Sequence, residues 1–134
     1  MKGIDTGFGR VADDTEHTTV VGIHYGDEGK GKYVAHQAET HDVGLRGNGG
    51  RNAGHTTYTK PGDFGSEEAL KLELSAIPSS ISMPGKMAYI GSGCVVDPSG
   101  TLEEIREIEG QGVNVADRLR INSRATVVHP IHRI

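Results

Sequence analysis

Tryptophan is missing altogether, aromatic residues make up only 4% of the chain, and cysteine occurs once. The lone Cys94 rules out an intramolecular disulfide and fits a reducing compartment. No apolar run approaches the roughly 20 residues that a membrane-spanning helix requires, so no membrane partner is implied. The first 17 residues are polar and acidic and lack the apolar centre of a secretory leader; they read as a disordered extension. Positive charge is also scarce. A net charge of −4 argues against a nucleic-acid binder held by phosphate contacts. With 34% apolar residues, the 134-residue chain has the size of one domain with a lean core, and it reads as soluble and cytoplasmic. What it has in quantity is glycine, 20 residues, which points to tight turns and close backbone approaches.

The glycines cluster between segments of opposite periodicity. "TTVVGI" (Thr18–Ile23) is β-branched and apolar, as expected of a buried parallel strand. A glycine loop follows at once, and "KYVAHQA" then predicts a helix that turns Val34, Ala35 and Ala38 toward the sheet. "DVGLR" (Asp42–Arg46) reads as a second strand, running into the irregular loop "GNGGRNAGHTT". "TYTKPGDFGSEEALKLEL" reads as a hairpin with its turn at "KPGDFG" and a return strand in "LKLEL". "KMAYIGSG" and "ATVVHP" supply further strands. "TLEEIREIEG" predicts a helix with Thr101 and Glu104 as a capping box, Leu102, Ile105 and Ile108 on one face, and a solvated charged face opposite. This alternation implies an α/β fold: a partial P-loop-like sheet, with Gly-rich phosphate-binding loops at the strand ends and flanking helices.

The first loop, "GDEGKGK" (Gly26–Lys32), comes close to a Walker A motif but departs from it in one respect. Gly26, Gly31 and Lys32 fit G-x-x-x-x-G-K, yet Tyr33 stands where Ser or Thr would hold Mg²⁺. Backbone N–H groups at a helix start, reinforced by the helix dipole, form an anion site, and Lys30 and Lys32 add positive charge. A carboxylate in such a loop stays ionised. Asp27 can therefore replace the missing hydroxyl as a Mg²⁺ ligand, or take a proton from a substrate beside the phosphate. The bland alternative is a charged surface turn.

The second loop, "GGRNAGHT" (Gly49–Thr56), combines small residues with an amide, an imidazole and a hydroxyl. Gly54 can offer a carbonyl to a cation, His55 can donate a proton to an oxyanion or leaving oxygen, and Asn52 can read a base or hold a phosphate. Alone it is equally an ordinary turn with a packed histidine. Two glycine loops after successive strands, however, open on one sheet edge, where α/β proteins bind ligands. Elsewhere Cys94 reads as a small buried hydrophobe, and His129 and His132 as exposed imidazoles rather than a metal pair. Arg118, Arg120, Arg124 and Arg133 make the end of the chain basic and read either as surface charge or as a dimer or substrate contact.

"VVGIHYGDEGKGK" followed by "GGRNAGHT" resembles the amino-terminal part of the adenylosuccinate synthetase family. "SAIPSSI" is similar to its "IPSG" segment, "YIGSGCVVDP" to its "IGNGVVLSP" segment, and "LEEIREIEGQGVNVADRLRIN" to the helix and arm that follow. The resemblance covers 18–134 and none of 1–17. It implies a ligase that joins IMP and L-aspartate at the expense of GTP, with Mg²⁺, in a homodimeric enzyme of AMP biosynthesis. It also implies Asp27 and His55 as catalytic base and acid, and Asp27 and the Gly54 carbonyl as Mg²⁺ ligands. GTP would meet Gly26, Asp27, Glu28, Gly29, Lys30, Gly31, Lys32, Gly54, His55 and Thr56. IMP would meet Asp27, Glu28, Gly29, Lys30, Asn52, Ala53, Gly54 and His55.

Departures from the family pattern include His24 and Tyr25 before the first loop, Arg51 in the second, and Ser80 for a customary glycine. Phage relatives acting on 2-aminated purines carry Ser in place of the loop acid, so Asp27 points away from them. An unrelated phosphate-loop GTPase would carry an N-K-x-D guanine motif, which is absent. Family members are much longer than this chain, so a truncated, non-catalytic nucleotide-binding module is the alternative to an enzyme.

Overall fold

The computed structural model describes residues 16–21, 29–129 and 131. Helix α1 (Lys30–Gln37) opens behind Gly29, whose φ of 72° lies in the left-handed region that favours glycine. It buries Ala35 and Ala38 as expected, with Val34 half-buried. Strands β1 (Val43–Gly49) and β4 (Met87–Val96) run parallel, and β5 (Leu119–Ile121) pairs with β4 on the same parallel sense. The short β6 (Thr126–Val127) pairs with β4 at Val95 and Val96. Between β1 and β4 the chain forms an antiparallel hairpin, β2 (His55–Tyr58) with β3 (Lys71–Leu74), in which His55 faces Leu74. Helix α2 (Pro98–Gly110) follows β4. The architecture is α/β with a parallel sheet, as the alternation of segments implies.

The core forms where the hairpin, α2 and the turn Ser79–Ser82 meet one face of the sheet. Leu72, Leu74, Ile77 and Ile81 pack there against Ala88, Ile90, Cys94 and Val96, with Ile108, Val113 and Val115 closing the far side. Each fully buried aliphatic side chain of this kind contributes about 1.5–3 kcal/mol. Cys94 is buried, as expected, and its thiol faces the carbonyl of Arg46 at 3.3 Å. The departure at Ser80 is also accommodated: its hydroxyl donates to the Met87 carbonyl at 3.0 Å and lies directly over Gly44, where no Cβ could fit.

Several expectations need correction. Thr18–Val21, the described part of the expected first strand, is not in a strand, and Val21 is 73% exposed. Among the described residues no strand pairs with them, so their β-branched composition has no ladder to act on. The stretch expected to be irregular contributes to two strands, Gly47–Gly49 extending β1 and His55–Thr57 opening β2. Glycine is tolerated in β1 because the strand lies very close to its neighbour: a Cβ on Gly93 would collide with the Gly47 carbonyl. Thr101 is not an N-cap. The helix begins earlier because Pro98 occupies its first turn behind Asp97, and the Thr101 hydroxyl is buried with no partner among the described residues. Leu102 is 52% exposed while Glu104, expected on a solvated face, is buried. β5 lies in a segment that carries too few residues to show a period.

Candidate active site at the meeting of two glycine loops

Three elements place His55. As the first residue of β2 it pairs with Leu74 on β3, and α1 begins beside it. The imidazole lies against Gly31 so closely that a Cβ at that position would come within 2.9 Å of both Cβ and Cδ2 of His55. Glycine at 31 is thus required by packing as well as by the phosphate-loop pattern. The contact brings the second glycine loop onto the end of the first. Gly29, Lys30 and Lys32 are exposed at that end, Gly31 is half-buried, and Asn52, Ala53 and Gly54 are exposed on the facing turn. Thr56 follows half-buried in β2. Gly26, Asp27 and Glu28 lie outside the described residues, as do His24 and Tyr25.

Electrostatics around His55 are set by two buried or half-buried charges. Burial pushes its proton affinity below that of an ordinary histidine, and the positive charge of Arg46 pushes it further down. Glu104 and backbone hydrogen bonding at Ala53 and Ile77 act in the opposite direction. The net result is an imidazolium that gives up its proton more readily than usual. That is a useful property in a donor facing a developing oxyanion.

Neither Arg46 nor Glu104 stands out in the sequence, yet they organise the wall behind the ring. Arg46 reaches from β1 to donate through Nη1 to the Ser75 carbonyl, through Nη2 to the Gly50 carbonyl at 2.6 Å, and through Nε to the Asn48 carbonyl at 3.3 Å. Glu104 reaches from α2 to the same turn. Its Oε1 accepts the N–H groups of Ser75 and Ile77 at 2.8 and 3.1 Å, and both oxygens accept that of Ala76. Glu104 follows Thr101 by three residues and precedes Ile108 by four, and these three share the buried side of α2.

Among the described residues no group of three or more His, Cys, Asp or Glu side chains converges as a metal ion requires. Gly54 lies open, with nothing within 4 Å of where its Cβ would be, and it can contribute only a neutral carbonyl. The described residues alone therefore do not form a Mg²⁺ site. No described helix is long and apolar enough to cross a membrane.

The chain is similar to proteins of known family. The family model described as adenylosuccinate synthetase matches residues 19–134. The adenylosuccinate synthetase of Leuconostoc citreum is 47% identical over 113 residues, covering 84% of this chain and 24% of the relative. That of Caldanaerobacter subterraneus is 44% identical over 116 residues, covering 86% and 25%. Among solved structures, fully ligated adenylosuccinate synthetase from Plasmodium falciparum superposes with a TM-score of 0.64 at 32% identity, over 81% of this chain and 23% of that one. A cyanophage S-2L succinoaminodeoxyadenylate synthetase, bound to dGMP and dATP, gives 0.57 at 28% identity, over 81% of this chain and 28% of that one. The chain thus spans about a quarter of the length of the curated relatives it matches. On the extent of these matches, and with His55 of the second glycine loop seated against Gly31, this chain belongs to the adenylosuccinate synthetase family.

Proposed function

We propose that the chain carries the reacting centre of an adenylosuccinate synthetase, a ligase that forms adenylosuccinate from IMP and L-aspartate while GTP is hydrolysed. The observation that carries this reading is the seating of His55 on Gly31, which joins a phosphate-type loop to an imidazole with increased acidity. In the reaction, a base removes the N1 proton of IMP, and the electron density shifts to O6. That oxygen attacks the terminal phosphorus of GTP, and GDP leaves. The aspartate amine then adds at C6 and expels phosphate, leaving adenylosuccinate. Base, phosphoryl donor and acid must adjoin for this sequence to run, because the geometry replaces the entropy cost of a chance encounter.

Asp27 is assigned as the base and His55 as the acid that supports phosphoryl transfer. Gly26 to Lys32 and Gly54 to Thr56 would line the GTP phosphates, and Asp27 to Lys30 with Asn52 to His55 would face IMP. Mg²⁺, with Asp27 and the Gly54 carbonyl as ligands, would neutralise phosphate charge. The same reading includes a homodimer and a cytoplasmic location, with neither nucleic acid nor membrane as partner.

The test is product formation, followed by ultraviolet absorbance with IMP, GTP, Mg²⁺ and aspartate present. Substituting His55→Gln should lower turnover about 100- to 10,000-fold, the usual worth of a positioned acid or base. Asp27→Asn should do the same. Equal rates in the wild type and Asp27→Asn would overturn the enzymatic reading for this chain. Retained binding of GTP with no turnover would instead identify a nucleotide-binding module.

A further inference from the structure

Glu104 is 3% exposed and sits on α2, remote in sequence from both glycine loops. A buried carboxylate is costly unless its oxygens are satisfied, and here three consecutive backbone N–H groups satisfy them. Those groups belong to Ser75, Ala76 and Ile77, the turn that leaves β3 immediately after Leu74, the partner of His55. The same turn is held from the other side. Ser75 gives its N–H to Glu104 and its carbonyl to Arg46, and Arg46 then holds the Gly50 carbonyl of the second glycine loop. The turn follows directly on Leu74, whose backbone pairs with that of His55, and the Ile77 backbone at its end acts to raise the proton affinity of the imidazole.

We infer that Glu104 is a positioning residue for His55: its carboxylate fixes the turn Ser75–Ile77, which in turn fixes the imidazole, while Arg46 ties that turn to the second glycine loop. The inference rests on the reading of His55 as proton donor for its functional meaning. Its physical content, one carboxylate setting the orientation of one ring, does not depend on turnover. An opposing pair, Glu104 and Arg46, acts on a single peptide unit and leaves that turn one arrangement. A purely structural carboxylate would stabilise α2 against β3 without selecting an orientation of the ring.

The test is made on the whole chain without ligands, at one alkaline pH where the imidazole is neutral. Long-range proton–nitrogen correlations of the histidine rings report which ring nitrogen carries the proton, and the His55→Gln spectrum identifies the His55 signals. The wild type should show His55 as a single tautomer. In Glu104→Gln an amide NH₂ faces donors that need an acceptor, so the ring should lose that preference and its two nitrogen shifts should converge. Glu103→Gln, exposed on the same helix, should leave the ring unchanged. If Glu104→Gln fails to fold, Arg46→Lys provides the second readout, because it keeps the charge but loses the fork that joins Ser75 to Gly50. It should shift the same His55 signals. An unaltered His55 pattern in a folded Glu104→Gln, or in Arg46→Lys where only that variant folds, would overturn the inference. A shifted ring in a chain that never turns over would keep it and overturn only the enzymatic reading.

Discussion

At position 31 the cost of one methyl group can be worked out. A Cβ there would meet two carbons of the His55 side chain at 2.9 Å, well inside the 3.5–4.0 Å at which carbon atoms attract. Its Cβ is one of those two carbons and is anchored by the pairing of the His55 backbone with Leu74, so rotation of the ring alone cannot relieve the clash. Gly31→Ala should therefore cost about 1–3 kcal/mol, as overpacking does, and should displace His55; denaturant midpoints and the His55 ring signals check the two effects. His55 also carries a pH dependence. Its folded proton affinity is depressed, first by burial and then by Arg46. As pH falls through about 6.5, the unfolded chain binds a proton that the folded chain does not yet accept. Stability from this source is complete above that range and is lost as pH drops toward the lower folded value. The wild type should accordingly lose stability on acidification faster than His55→Gln, measured by urea unfolding at several pH values.

Elements show what could and could not be read from the chain. The hairpin was legible because Leu72 and Leu74 alternate with Lys71 and Glu73 around a Pro-Gly turn, and that period survives folding unchanged. The α2 register was not. Leu102 looks apolar and Glu104 looks solvated, but three unpaired N–H groups on another segment decide which side faces inward, and they are invisible to a helical period. Arg118 makes the same point. Its charge suggested either a surface position or a dimer or substrate contact, whereas it is 9% exposed and lies 5.1 Å from the Phe64 ring centre. Its guanidinium donates to the carbonyls of Ile81, Met83, Lys86 and Asn114. Of the candidate site, the glycine loops and His55 were legible as a motif, while the supporting pair Arg46 and Glu104 was not, because their partners are backbone atoms. Arg118→Met should strand several buried carbonyls at about 1–3 kcal/mol each, for a total loss of at least about 3 kcal/mol. Arg124→Met, exposed nearby, should stay within about 0.5 kcal/mol, and thermal unfolding of both variants separates the two cases.

At the scale of the molecule, the described residues cover the sheet on one face only. Parallel sheets are normally buried on both faces, since their crossovers place elements on each side. Here the core occupies the face of Ala88 and Ile90, while Val43 and Leu45 on β1, in register with Met87 and Tyr89 on β4, remain 54% and 64% exposed. Val95 adds to the same apolar surface at 43%. The curated relatives are about four times as long as the matched stretch, so in them far more chain is available to bury such a surface. For this chain the consequence is measurable. Leu45→Thr places a β-branched residue, which strands favour, at that position while removing apolar area. It should weaken binding of a hydrophobic dye and lower self-association, yet move the unfolding midpoint by no more than about 0.5 kcal/mol, as befits an exposed site. Leu72→Ala, from the opposite face, should cost about 2–5 kcal/mol because it opens a cavity. If the two substitutions proved equally destabilising, Leu45 would have to be buried in solution, and the sheet would already be covered on both sides.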